Sequence, residues 1–322
     1  MLSAYNQNAS ITNSEFAWMG GSAIAAWGYT DEISDGGIHG VDGTTGDFPR
    51  YTLVEGNLFH EIGVWEKQSS AFFQAKTAQS VLQKNVVFNL GRAGFNFNDG
   101  FGGGDDVNSN VLFNTCRESS DHGPINSWDR QPFVTTVRNG TPSTLMEWRN
   151  VYHNFIVANY GGGKQVDNDD GSLFWRVHDN TMLYGWCQKF KCGGIESWNN
   201  YKAFVDIGGK FDAGCTTHGN PGDDTYAPNL WHDDVMVHLS HSDFAYRDDW
   251  GKTPSGVQWD TTQVYNNTIY LDGDGISAKV GSETLAQVQA RGGDKGTKQI
   301  NEIPSTDTII SDIKAILDPY LL

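Results

Sequence analysis

Between residues 92 and 130 the chain reads RAGFNFNDGFGGGDD, then NVLFNTC, then RESSDHGPINSWDR, which gathers Arg92, Asn98, Asp99, Glu118, Asp121, His122, Trp128, Asp129 and Arg130. Further on, VDNDDGS (166–172) adds Asp167, Asp169 and Asp170. Paired carboxyls roughly 5–10 Å apart can work on one glycosidic bond, one protonating the leaving oxygen while the other attacks or activates water. Asp121 and Asp170 are the expected pair, with Asp169 as the substitute for Asp170. Trp128 and Trp65 offer flat faces for sugar rings, and His122 and Arg130 offer donors to hydroxyls. Arg92, Asn98, Asp99, Glu118 and Asp129 complete the polar lining. Lys76, in FFQAK, reads equally as a solvated charge or an inward site residue. Asp-Gly and Asn-Asp-Gly are also ordinary turn chemistry.

Residues this far apart meet only if the fold stacks them. A recurring module supplies the means: Asn followed by apolar residues, starting at Asn57, Asn85, Asn110, Asn154, Asn180 and Asn267. Successive starts lie 28, 25 and 26 residues apart, and the 44-residue gap from Asn110 to Asn154 holds one long-looped coil or two short ones. A period in the twenties built from short strands signals a solenoid. The expected fold is all-β, a right-handed parallel β-helix with three strands per coil, apolar side chains inside and asparagines stacked along one turn. A sandwich or propeller is the alternative. Residues 283–291 and 307–317 read as short helices, expected to cap the last open coil. The division expected is a solenoid over 1–280 and a helical cap over 281–322.

Composition narrows the function. The 322 residues carry 22 Lys+Arg against 39 Asp+Glu, a formal charge of −17, which excludes a surface made to neutralise phosphates or an anionic bilayer. Only 38% of residues are hydrophobic, yet 11 Trp, 12 Tyr and 17 Phe argue against disorder. No run of 18 apolar residues occurs, and no signal peptide is visible; the opening, MLSAYNQNASITNSEF, reads like mid-fold strand sequence, so upstream coils are expected. Few lysines lie near the acidic cluster in sequence, so neutral glycans fit better than uronates.

Weaker features carry bland readings. Cys116, Cys187, Cys192 and Cys215 are expected as buried thiols or one disulfide. Asp272-Gly-Asp-Gly275 and Gly104-Asp-Asp106 hint at Ca²⁺ but match no calcium loop and read as solvated turns, so no cofactor is expected. His218, His232, His238 and His241 lack a zinc-helix spacing, and Gly161-Gly-Gly-Lys164 lacks the phosphate-loop pattern and reads as a turn. Asn8, Asn139 and Asn266 open glycosylation triplets.

GRAGFNFNDG (91–100), RESSDHGPINSWDR (117–130) and VDNDDGS (166–172) resemble stretches of the right-handed β-helix glycoside hydrolases of the fucosidase/xylanase type. ETLAQVQARGGD (283–294) is similar to the helix that ends many secreted β-helix proteins. The resemblance covers about residues 55–185 and that tail. It implies a secreted glycosidase acting on a polysaccharide or oligosaccharide, with Asp121 and Asp169 or Asp170 as catalytic carboxyls. A polysaccharide lyase or epimerase on the same fold is one alternative, and a non-catalytic glycan-binding surface protein another. No nucleic-acid or membrane partner is expected, and oligomeric state is open.

Overall fold

A computed structural model describes residues 1–3, 5–29, 46–98, 102–128, 147–159, 164–169, 171–190, 194–211, 228–239, 244–248 and 262–317. Its strands form three stacks that share one axis. The first sheet is β1 (Ser10–Thr12), β4 (Leu53–Glu55), β7 (Val81–Gln83), β10 (Asp106–Asn108), β13 (Arg149–Tyr152), β16 (Trp175–His178), β18 (Ile195–Trp198), β20 (Asn229–His232) and β23 (Thr262–Tyr265), each parallel to its neighbours. The second runs β2 (Glu15–Met19), β5 (Leu58–Ile62), β8 (Val86–Leu90), β11 (Val111–Thr115), β14 (Phe155–Asn159), β17 (Thr181–Phe190), β19 (Tyr201–Phe211), β21 (Val235–His238), β24 (Thr268–Tyr270) and β27 (Lys298–Ile300).

The third sheet carries the candidate site. It stacks β3 (Ile24–Trp27), β6 (Phe72–Ala75), β9 (Phe95–Asn98), β12 (Ile125–Trp128) and β15 (Lys164–Asn168). It continues through the far halves of β17 and β19, which are long enough to serve both sheets, to β22 (Phe244–Asp248) and β25 (Lys279–Val280). Among the described residues, one antiparallel pair, β25 with β26 (Glu283–Thr284), follows at this end of the third sheet. The fold is an all-β parallel solenoid of three strands per coil. Alternation along each strand sends Phe59, Val87, Leu112, Ile156 and Met182 inward in one column, and these join the main core inside the coils, with a smaller buried cluster of Tyr201, Ala203, Val237 and Ile309 beside it.

The asparagine module works as a ladder. Each amide oxygen accepts from the backbone N–H and the side-chain amide of the preceding rung, and each amide nitrogen also donates to a backbone carbonyl one coil back. This links Asn57, Asn85, Asn110, Asn154, Asn180 and Asn200. Asn110 bonds directly to Asn154, so the 44-residue gap is one long-looped coil. The ladder passes on to Asp234, Asn267 and Thr297; Asn267 opens one of the apolar modules, whereas Asn200, Asp234 and Thr297 are rungs that the module did not reveal. At Asp234 an acid replaces an amide, and Lys202, in the inward column beside Met182 and Met236, meets it at 2.7 Å with both side chains inaccessible.

Two expectations change. The helices do not act together as a cap: α1 (Leu285–Ala290), capped by Thr284, buries Leu285 and Val288 in the main core, whereas α2 (Thr306–Leu317) lies along the outer face of the second sheet. There Ile309, Ile313 and Ile316 cover Tyr201, Ala203 and Val237. An outer face this apolar needs a cover, and the 3.6-residue spacing of α2 provides it. Second, Asp105 is not a solvated turn residue. It lies fully buried in the bore, 2.9 Å from Arg149 Nε and bonded to Gln74 and the Ser80 N–H.

Candidate active site

The chemistry-bearing loops occupy the corner between the second and third sheets. In successive coils this corner holds Gly63–Ser70, Gly91–Gly94 and Cys116–Pro124, so Arg92 precedes Asp121 and His122 by one coil. Close approach dictates the glycines. A Cβ on Gly123 would lie 2.0 Å from the Lys164 carbonyl oxygen, and one on Gly94 would lie 3.0 Å from the Pro124 carbonyl. Without them the DHGP loop could not seat against β15. Asp121 itself has φ of 66°, a left-handed conformation that Asp tolerates better than most residues.

The 166–172 segment is pinned from below. The Ser172 hydroxyl donates to the Ser127 carbonyl at 3.0 Å and lies 2.7 Å from the Ser127 hydroxyl. The Asp169 N–H donates to the same Ser127 carbonyl at 2.9 Å. This carries Asp169 to the level of Trp128 and Asn98, which are in register at the ends of β12 and β9.

On the outward face of the third sheet Phe73, Asn96, Asn126, Asp167 and Lys189 are in register on successive coils. The Asn126 amide sits between Asn96 at 3.1 Å and Asp167 Oδ2 at 3.3 Å. Lys189 Nζ lies 2.6 Å from Asp169 Oδ1 and 3.7 Å from Asp167 Oδ1. Lys164 Nζ donates to Asp121 Oδ1 at 2.8 Å. Three carboxyls thus share two ammonium groups, with the Arg92 guanidinium acting electrostatically on Asp167 and His122.

Burial separates the proton affinities. Desolvation, with the like charges of Asp169 and Asp121, lifts the Asp167 carboxyl to about 7 against the pull of Lys189 and Lys164. Burial pushes Asp121 up as well, but the hydrogen bond and charge of Lys164, with Lys189 and His122, leave it below the usual carboxylate range. His122 is lowered, by burial first and then by Arg92, so it is neutral at neutral pH. Burial also pushes the Cys116 thiol up to about 12, which makes it inert beside Arg92.

Of the residues expected from sequence, Asp121, Asp169, His122 and Arg92 converge here, and Trp128 and Asn98 lie level with Asp169 on the same face. Glu118 turns to Lys67 at 2.9 Å. Trp65 stands 85% exposed in the corner two coils before Asp121, and Lys76 sits at the opposite corner, after β6. Asp99, Asp129, Arg130 and Asp170 lie outside the described residues. So do Cys192, Cys215, His218 and His241, while Cys116 and Cys187 are free buried thiols. His232 stands in an outward ring stack on the first sheet and His238 ends β21 of the second.

The sequence reading assigned no role to Asp167, Lys164 and Lys189. Lys164 opens β15 rather than belonging to a turn, and Lys189 reaches the site because β17 extends into the third sheet. The scarcity of lysine near the acidic cluster is therefore a feature of chain order that the stacked coils reverse. Among the described residues no group of three metal-ligating side chains assembles, and no helix is long and apolar enough to cross a membrane. A cavity of about 490 Å³ between β23 and residues 288–295 holds no comparable set of convergent carboxyls.

No family model and no curated protein matches this chain. A solved structure, the crystal structure of alginate lyase from Paenibacillus sp. str. FPU-7, is similar with a TM-score of 0.40 and 12% identity, over 79% of this chain and 74% of that one. Likeness at that level carries no argument about activity.

Proposed function

We propose that the protein is a carbohydrate-active enzyme that hydrolyses glycosidic bonds of a polysaccharide or oligosaccharide at the Asp121–Asp169 cluster. One observation carries this reading: the carboxylates stand in front and the cations behind. The Asp121 side chain is 69% exposed and that of Asp169 21%, whereas Lys164 and Lys189 are 3% and 4% exposed. An arriving substrate meets carboxyl oxygens, and the buried ammonium groups orient them. A uronate would meet like charge first, so a neutral glycan fits better.

In this reading Asp121, held ionised by Lys164, attacks the anomeric carbon or activates water. The acid in this reading is Asp170, with Asp169 as its substitute once a bound substrate has displaced the Lys189 ammonium that pairs with it at 2.6 Å, and it donates its proton to the leaving glycosidic oxygen. The solenoid is taken to wind right-handed, as parallel strands joined through crossovers do. Secretion is part of the same reading.

A second reading has its own observation. Neutral His122 beside Arg92 is the arrangement that β-elimination from a uronate uses, a base next to a cation. A panel of neutral and acidic polysaccharides, with product analysis, separates the two. Hydrolysis releases reducing ends without ultraviolet absorption, and elimination releases unsaturated, absorbing ends. Absence of both with every glycan would leave only the binding role and reject the proposal.

A further inference from the structure

A left-handed backbone position recurs at the corner between the second and third sheets. Directly after the in-register residues Ala17, His60, Phe88, Phe113, Leu183 and Ala203 come Trp18, Glu61, Asn89, Asn114, Tyr184 and Phe204, with φ of 57°, 52°, 58°, 55°, 66° and 58°. Asparagine suits such a backbone, whereas a bulky aromatic does not. Yet aromatics hold the position at both ends of this column, and both are open to solvent. Trp18 is 73% exposed and Tyr184 47%, with the Tyr184 ring stacked on Phe204 at 5.4 Å between centroids. A strained backbone under an exposed, large apolar side chain points to a ligand rather than to packing.

The surface between them is accessible and polar. A cavity of about 150 Å³ runs from Trp18 in the first coil past Glu61, Lys67 and Asn89 to Arg117 and Glu118 in the fourth, and each of these six side chains is half-buried or exposed. Arg117 and Glu118 belong to the loop that carries Asp121, and residues 117–121 are all half-buried or exposed. Lys67 pairs with Glu118 at 2.9 Å, while Glu61 accepts from Asn89 at 2.7 Å and Asn89 accepts from Asn114. On the other side, Gln165, next to the Lys164 that holds Asp121, donates to the Leu183 and Tyr184 carbonyls. At about 4.8 Å per coil, Trp18 stands three coils or about 14 Å before Asp121 along the axis, and Tyr184 two coils or about 10 Å after it.

Resting on the hydrolase reading above, we propose that Trp18 and Tyr184 are sugar platforms on opposite sides of Asp121, so that a linear, uncharged polysaccharide lies along this corner, parallel to the solenoid axis, and is cut within its length. The rings take the C–H faces of sugars, and Glu61, Asn89 and Asn114 meet hydroxyls between Trp18 and the cut. The ligand is one continuous chain, because a single cavity joins Trp18 to the Asp121 loop. A neutral chain fits, since Lys67 and Glu118 neutralise each other and Glu61 meets any uronate with like charge.

The test uses the full chain and its Trp18→Asn, Trp18→Phe and Tyr184→Asn variants, asparagine being the residue that two neighbouring coils carry at this position. Retardation is measured in gels containing neutral polysaccharides. Hydrolysis is followed as loss of viscosity and as release of reducing ends, on a polymer and on its shortest cleavable oligosaccharide. The parent should lower viscosity before reducing ends accumulate. Each asparagine variant should show a roughly five- to tenfold higher KM for the polymer, weaker retardation and a smaller effect on the short substrate, which does not reach the platforms. Trp18→Phe should restore most of the binding, and melting temperatures should show that the variants fold. Unchanged polymer KM and retardation in either asparagine variant, or equal effects on long and short substrates, would overturn the platforms while leaving the hydrolase reading intact. Reducing ends released from the start at constant viscosity would overturn the internal cut and likewise spare that reading. A parent that neither cleaves nor is retarded by any neutral glycan would overturn both. Retardation weakened in the variants of a parent that cleaves nothing would uphold the platforms and reject the hydrolase reading.

Discussion

Lys164, almost wholly buried, places its ammonium 2.8 Å from an oxygen of Asp121, a side chain largely open to solvent. The pairing fixes one carboxylate oxygen while the side chain as a whole stays 69% exposed. Asp121→Asn should cut turnover by about 10²–10⁴-fold without loss of fold, because an amide cannot take up the proton or attack. Lys164→Met should raise the Asp121 pKa toward its ordinary value, so the acid limb of the kcat/KM profile should move to higher pH. A profile that stays in place in a folded, active variant would remove Asp121 from the role of base.

Asp167 makes the stability of the fold depend on pH. Folded, it keeps its proton to about 7; unfolded, it releases it near the model-peptide value of about 3.9. Between those values the folded state binds the extra proton, so the Asp167 contribution is full below about pH 4, falls as pH rises, and levels off above about 7. Asp167→Asn should flatten that decline, gaining up to about 4 kcal/mol relative to the parent between about pH 4 and 8. Parallel melting curves would show it, and a parent–variant difference constant across pH would refute it.

The Asp234–Lys202 pair should be costly to break and cheap to replace. Asp234→Asn keeps an amide rung but strands the buried Lys202 ammonium over Trp231, which should cost about 3–5 kcal/mol. Adding Lys202→Met, which continues the column of Met182 and Met236, should recover most of it. Urea unfolding of the two single variants and the double variant measures the coupling. Simple additivity would mean that the pair does not act as a unit.

Removal of the outer strap should loosen the second sheet without opening the bore. Ile309→Ala should cost about 2–4 kcal/mol, since Ile309 is buried against Tyr201, Ala203 and Val237. Core residues Leu285 and Val288 of α1 stay in place, so hydrogen exchange should rise in β17, β19 and β21 and little at the end of the solenoid. Uniform exchange in all three sheets would contradict separate roles for the two helices.

How legible the site was depends on range. Turn glycines, asparagine rungs and amphipathic helices are local, and Asn57, Asn85, Asn110, Asn154 and Asn180 are each marked by the apolar run just after them. Asn200 and Asp234 are not, because Tyr201-Lys-Ala interrupts the module with a lysine and Val235-Met-Val comes after an acid. Lys189 gives no local sign at all. Its strand reads like any other until β17 is seen to turn the corner into the third sheet.

Residue order alone determined that the chain stacks short strands, that an acidic and aromatic segment recurs within a few coils, and that amphipathic segments finish it. These come from spacing and residue type, which act over a few residues. The coils decided the rest: which cations stand behind which carboxylates, which aspartate keeps its proton, and which indole lies in line with the cluster. Proton affinity depends on burial and on charges a few ångströms away, and in a solenoid the residues that near are one coil apart in space and about twenty to forty-five apart in sequence.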